Sequence, residues 1–290
     1  MFRHLVSKSV RNLAVTSRPA ALMTTKAKHP YFLVDVKDNG VAVVTFNRPT
    51  TYNAMTVDMG EEFVSLIQSL NADAKVKACI FTGAGKAFSA GGDKQFLVDR
   101  ITTSAQENMY EMSRFYARFL TVRKLNVPTI AAINGPCVGA GACFASACDL
   151  RIAASTASLG WVFAKLGLHA GMGATHFLAP IVGQQQAAKL LLTGEIISAP
   201  KAKEMNFLLE VVDVPPEANA NDLTLDRALA IAEDIVSADS LATRMMLRTL
   251  RATGDEGLDK ALLREADAQA LCYGDAVYAK RVDDMVNKRK

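Results

Sequence analysis

At 290 residues, half of them hydrophobic, the chain has ample material for a buried core, which excludes disorder throughout. Lys and Arg total 33 against 29 Asp and Glu, a net charge of +4, yet Arg3, Lys8, Arg11, Arg18, Lys26 and Lys28 crowd the beginning. The remainder is close to neutral and lacks the basic stripe that a nucleic-acid surface needs.

Taken in chain order, the first stretch has no acid between Met1 and Asp35 and scatters basic residues among Leu, Val, Ala, Ser and Thr. This composition predicts a mitochondrial transit peptide over residues 1–29, and with it a place in the mitochondrial matrix. Next, YFLVDVKDNGVAVVTFNRP predicts two antiparallel strands joined at Asn39-Gly40, where both residues tolerate positive φ. Met59, Phe63, Leu66, Ile67 and Leu70 fall at helical spacing, so a helix over 58–70 with Asp58 as its cap is expected, leading to a strand at 77–83. A second round follows: a helix over about 104–124, a strand at 128–135, a small-residue helix from about Gly141 and a strand at 149–154. Beyond Gly173 the pattern is mostly helical, broken by a polar loop at 214–222. Alternating strands and helices without a composition break predict one spiral α/β core over 30–215 and a helical region over 216–290. No apolar run reaches the roughly 18 residues of a membrane-spanning helix. The five cysteines lack metal-type pair spacing, so free thiols and no metal site are expected.

Three glycine-rich points carry the candidate chemistry: SAGGDKQF (89–96), INGPCVGAGACFASACD (133–149) and GLHAGMGATHF (167–177). Clustered glycines let backbone approach a ligand and expose amide hydrogens to negative charge. None is a GxxxxGK[ST] phosphate loop, and GPCVGAGA does not give the GxGxxG of a dinucleotide site, so no separate cofactor is expected.

Together with FNRPTTYNAM (46–55), NVPTIAAINGP (126–136) and LLLTGEIISAPKAKEMNFL (190–208), these segments resemble the enoyl-CoA hydratase/isomerase family, the crotonases, over roughly residues 30–290. The resemblance implies a spiral of ββα units, a homotrimer or hexamer closed through the C-terminal helices, and an acyl-coenzyme A ligand, with coenzyme A entering as part of the substrate. It implies work on acyl-CoA in fatty-acid β-oxidation or branched-chain breakdown. It also places the two backbone amides that hold the thioester oxygen at Gly92 and Ala140, where the family usually has Gly. Developing enolate charge is what such donors stabilise. The coenzyme A strip falls on Tyr52, Ala54, Ala90, Asp93, Lys94 and Gln95, and Trp161 with Phe163 would wall the acyl group.

The departure is at the acids. The glutamates of typical hydratases fall on Cys143 and Phe163, neither a carboxylate, although hydration needs one group to take a proton from water and another to give one to carbon. The possible replacements are Cys143, in the first turn of a helix aimed at the thioester, His169 and Asp93, with Cys143 and His169 the candidate proton carriers; His176 and Asp149 read as structural. Two alternatives stay open: an enzyme passing through a thioester enolate with non-standard acid/base residues, and a catalytically weak acyl-CoA-binding subunit.

Overall fold

The computed structural model describes residues 29–287 apart from 239 and 256, so the expected transit peptide, His29 excepted, lies outside the described residues. Strand β1 (Phe32–Val36) pairs antiparallel with β2 (Val41–Phe46). The connection differs in detail from the expected tight turn: it is a four-residue loop, closed by Lys37 N–H to Val41 O at 2.9 Å. Only Gly40, at φ +91°, takes positive φ there, while the Asn39 side chain accepts from Val41 N–H.

Helix α1 (Val57–Ala72) follows, capped by Thr56, whose hydroxyl accepts from Met59 N–H. Asp58, the expected cap, sits inside the first turn, where its charge still favours the positive helix end. Then come β3 (Ala78–Gly83), α2 (Lys94–Asp99), α3 (Ala105–Phe119) with a capping box at Ser104 and Glu107, a 3-10 turn over Leu120–Lys124, and β4 (Thr129–Ile133). The chain continues through β5 (Cys137–Val138), α4 (Ala140–Ala147), β6 (Leu150–Ala154) and β7 (Ser158–Gly160). Beyond a 3-10 turn at Val162–Leu166 lie α5 (Ala174–Val182), α6 (Gln184–Thr193), β8 (Ile196–Ser198), α7 (Ala199–Glu204) and β9 (Glu210–Val212). Four helices end the chain: α8 (Ala220–Ser237), α9 (Ser240–Asp255), α10 (Leu258–Tyr273) and α11 (Ala276–Asn287).

The large sheet runs β1-β2-β3-β4-β6-β9, parallel except for β1, and a small sheet β5-β7-β8 stands beside it. In β3 and β4 every residue is buried, the continuous apolar run expected of parallel strands covered on both faces. One face carries the main core. There Phe144 of α4 meets Phe46 and Phe81 edge-on at 5.2 Å and Phe63 at 5.6 Å, an aromatic cluster worth about 1 kcal/mol per pair beyond burial. This packing anchors α4 and with it the position of Ala140. The other face packs Val41, Ile80, Ile130 and Ile152 against Ala228, Ile231 and Ala232 of α8. Helix α8 is the first element of the helical region expected over 216–290, and it covers this face of the sheet.

Candidate active site

The glycine-rich turn after β3 is held from below by Asn53. This fully buried side chain donates to the carbonyls of Ala84 and Ala87 at 3.0 and 2.8 Å and accepts from Arg48 N–H at 2.8 Å. Ser89, also buried, donates to Asn53 O at 2.9 Å and accepts from Gly91 N–H at 3.2 Å. Nothing in the local sequence assigns Asn53 this role; the available signal was its place in FNRPTTYNAM as a residue type that tolerates the positive φ, +55°, that it adopts. Asn53→Ala orphans two carbonyls and an amide, and an expected loss of about 3 kcal/mol in unfolding free energy can be read by chemical denaturation.

Met55 makes an isolated parallel bridge to Gly92: Met55 N–H donates to Gly91 O at 2.7 Å and Asp93 N–H to Met55 O at 2.9 Å. In that pattern Gly92's own N–H faces away from Met55. Ala140 begins α4, so its amide is one of the orphan donors of a helix start. The two segments touch, since a Cβ placed on Gly91 would lie 3.2 Å from Ala140 N and 2.9 Å from Val138 O. Gly92 and Ala140 both line one cavity of about 860 Å³.

Of the other predicted site residues, Tyr52, Ala54, Ala90, Asp93, Lys94, Gln95 and Phe163 also line that cavity. Asp93 has additional work: it caps α2 by accepting from Gln95 N–H at 3.0 Å and pairs with Arg48 at 3.2 Å. Arg48 in turn donates to the carbonyl of Ala54, so the cavity mouth is braced by a charge-assisted pair.

Three predicted residues are not brought to the cavity. Cys143 faces the core, fully buried, with its thiol donating to Gly171 O at 3.3 Å, and burial pushes that thiol well above its ordinary range. The helix start expected to activate it is outweighed by desolvation. His169 is exposed, with its Nδ1 2.6 Å from the carbonyl of Ala170. Trp161 is fully buried against Phe207, ring centroids 4.9 Å apart, and so packs rather than walls the acyl space. Cys143→Ala is accordingly expected to keep turnover of an acyl-CoA, well short of the roughly 10²-fold loss that follows removal of a general acid or base. His176 lies edge-on to Phe177, within the protein.

Two buried polar side chains of α10 shape the site and escaped the sequence. Glu265 accepts from Gly173 N–H at 2.6 Å, Thr175 N–H at 2.9 Å and the Thr175 hydroxyl at 2.5 Å, tying the 167–173 loop to the helix. Burial nevertheless raises its carboxyl above the ordinary value, the hydrogen bonds offsetting only part of the desolvation. Gln269 lines the cavity. The signal for both was a polar residue on the face of α10 that carries Ala261, Ala266, Ala270 and Tyr273. Among the described residues, no cluster of His, Cys, Asp or Glu could hold a metal ion, and no helix is long and apolar enough to cross a membrane.

A mixed sheet wound with helices, a helical C-terminal region, and a cavity edged by two unpaired backbone amides define an α/β fold of the crotonase type. Comparison with known proteins makes this specific: the profile of the enoyl-CoA hydratase/isomerase family matches residues 36–289, and the chain belongs to that family. A probable enoyl-CoA hydratase of Mycobacterium tuberculosis is 39% identical over 220 residues, covering 76% of this chain and 81% of that protein. A short-chain-enoyl-CoA hydratase of Clostridium acetobutylicum is 32% identical over 255 residues, covering 88% and 94%. Among solved structures, an enoyl-CoA hydratase/isomerase from Mycobacterium paratuberculosis superposes with a TM-score of 0.78 at 25% identity, covering 88% of this chain and 98% of that one. The chain is thus of the enoyl-CoA hydratase/isomerase type in acyl-CoA metabolism.

Proposed function

We propose that this chain binds an acyl-CoA thioester with its carbonyl oxygen between the amides of Gly92 and Ala140, and that it acts on the acyl group through a stabilised thioester enolate. The observation that carries this reading is the meeting of those two orphan donors at one cavity, beside the positive end of α4. Two aimed amides favour the developing oxyanion over the ground-state carbonyl, and losing one such donor costs about 3 to 4 kcal/mol. No carboxylate stands at Cys143 or Phe163, so any water added or proton moved at carbon must use other groups. That substitution keeps alive the second reading, an acyl-CoA-binding subunit with weak catalysis.

Titration calorimetry with acyl-CoA thioesters, followed by loss of the conjugated enoyl-thioester absorbance, separates the two. Binding with turnover supports the enzyme, binding without turnover on any chain supports the subunit, and no binding at millimolar thioester overturns both. The proposal extends to assembly as a homotrimer or hexamer, supported by Leu241, Met245, Met246 and Leu250 exposed on α9. It also extends to the mitochondrial matrix, supported by the basic, acid-free leader that precedes the family match at residue 36. Sedimentation velocity and import of the full chain into isolated mitochondria, with cleavage near residue 29, are the respective measurements.

A further inference from the structure

Burial varies around the cavity wall. Tyr52, Lys94 and Lys165 are exposed, whereas Tyr116, Gln269 and Tyr273 each have 2% of their surface accessible. Apolar side chains share this lining: Met112, Phe115, Phe163, Leu168 and Met172. An acyl tail alone would be served by an apolar inner wall, and polar groups in such a wall are costly unless they are paired.

The inner wall nevertheless carries a connected polar chain. The Tyr116 hydroxyl donates to Gln269 Oε1 at 2.5 Å, Tyr273 reaches the same oxygen at 3.3 Å and Met112 Sδ at 2.8 Å, and Gln269 Nε2 donates to His169 O at 2.9 Å. These partners fix the amide orientation, with its oxygen facing two hydroxyls and its nitrogen facing a carbonyl. Burial pushes both phenols well above their ordinary range, so both remain protonated near neutral pH. Three capacities are left in this chain among the described residues: the lone pairs of Tyr116 Oη, whose proton is committed to Gln269, those of Tyr273 Oη, and the second N–H of Gln269. An acceptor on Tyr116 and a donor on Gln269 therefore stand side by side on the cavity wall.

The backbone makes room for this pair. A side chain on Gly171 would collide with the Tyr116 hydroxyl and lie 3.1 Å from Gln269 Nε2. The loop between the 3-10 turn and α5 thus passes close over both groups only because residue 171 has no Cβ.

We propose that the Tyr116–Gln269 pair is a specificity site for an acyl group bearing a hydroxyl at its distal end, the hydroxyl donating to Tyr116 Oη and accepting from Gln269 Nε2. This rests on the acyl-CoA reading above and names the class of acyl group that cavity selects. A chain ending in methyl leaves the spare lone pair of Tyr116 and the second N–H of Gln269 without a partner, and sites built around a substrate hydroxyl reject the analogue without it.

The test is calorimetry of the full chain with paired thioesters, ω-hydroxyacyl-CoA against the acyl-CoA with methyl in place of hydroxyl, in short and medium chain lengths. The expected result is at least about tenfold tighter binding of one hydroxylated member, the worth of one well-formed buried hydrogen bond. In Tyr116→Phe that ratio falls to about one, while affinity for the methyl-ended chain is kept or improved. Gly171→Ala, which displaces the same hydroxyl without removing it, lowers the ratio by an independent route. A ratio near one in the wild type at every length, or one unchanged in both variants, overturns the specificity site and leaves the acyl-CoA reading standing. Failure of every thioester to bind overturns both.

Discussion

Gly91→Val is expected to lower turnover of an acyl-CoA by about 10² to 10³ while the protein stays folded, the loss that follows removal of one oxyanion donor. Gly91 has φ +90°, a conformation in which a β-branched residue is an outlier. A Cβ at this position would meet Val138 O at 2.9 Å, Ala140 N at 3.2 Å and Gly139 Cα at 3.4 Å. All three are backbone atoms, so no flexible side chain can swing aside. The chain relieves the clash only by moving the 89–93 turn away from the start of α4, which separates the amides of Gly92 and Ala140. The backbone strain itself is worth about 1 to 2 kcal/mol, well inside the stability of an ordinary domain. Gly183→Val supplies the control: φ there is +81°, nothing lies within 4 Å of its Cβ, and the residue joins α5 to α6 away from the cavity. It too places valine at a positive φ, and turnover is expected to be retained. Equal turnover in Gly91→Val and Gly183→Val would remove the two amides from the mechanism.

How far such a site is legible in the sequence depends on the range of the interactions that build it. The hairpin, α1, β3, α3, β4, α4 and β6 announce themselves through local periodicity, whereas the assignment of Gly92 and Ala140 comes from the family resemblance and not from the glycine-rich strings themselves. Strands β5, β7, β8 and β9 do not, because each has two or three residues and exists only through partners up to dozens of positions away. The same limit governs the side chains. Every residue of α4 is buried, so the helix has no polar face to reveal which way Cys143 points, and only the packing of neighbouring Phe144 turns it into the core. Trp161 and Phe163 are two residues apart and end on different surfaces, one against Phe207 and one at the cavity. Tyr116 and Gln269 meet across 153 positions, a pairing that no local pattern encodes.

The same long-range logic makes Asp149 the side chain whose loss should cost the fold most. Its carboxylate accepts from Thr129 N–H at 2.8 Å and the Thr129 hydroxyl at 2.7 Å, from Arg251 at 2.9 and 2.5 Å, and from Arg123 at 3.3 Å. Arg251 also donates to the carbonyls of Arg123, Leu125 and Val127, and Arg123 reaches Asp255 at 2.8 Å. One carboxylate thus joins the start of β4, the start of β6 and the end of α9, and α9 leads directly into α10, which carries Gln269 and Tyr273. Asp149→Ala leaves the Arg251 charge buried without its partner, for which about 3 to 5 kcal/mol of lost stability is expected. The pH dependence has a definite sign. Desolvation alone would raise the Asp149 carboxyl, but the hydrogen bonds and charge of Arg251, with the bonds from Thr129, outweigh it and hold it below the ordinary value. Its stabilising contribution is therefore complete above the usual carboxylate value of about 4 and is lost as pH falls through the depressed folded-state value. Denaturant midpoints measured from neutral to acid pH should fall less steeply below about pH 4 in Asp149→Asn than in the wild type, because the substituted amide has no proton to gain. Identical acid limbs in the two proteins would assign the acid loss to other carboxylates, and a midpoint unmoved in Asp149→Ala at neutral pH would show that the Arg251 tether does not hold α9 to the core.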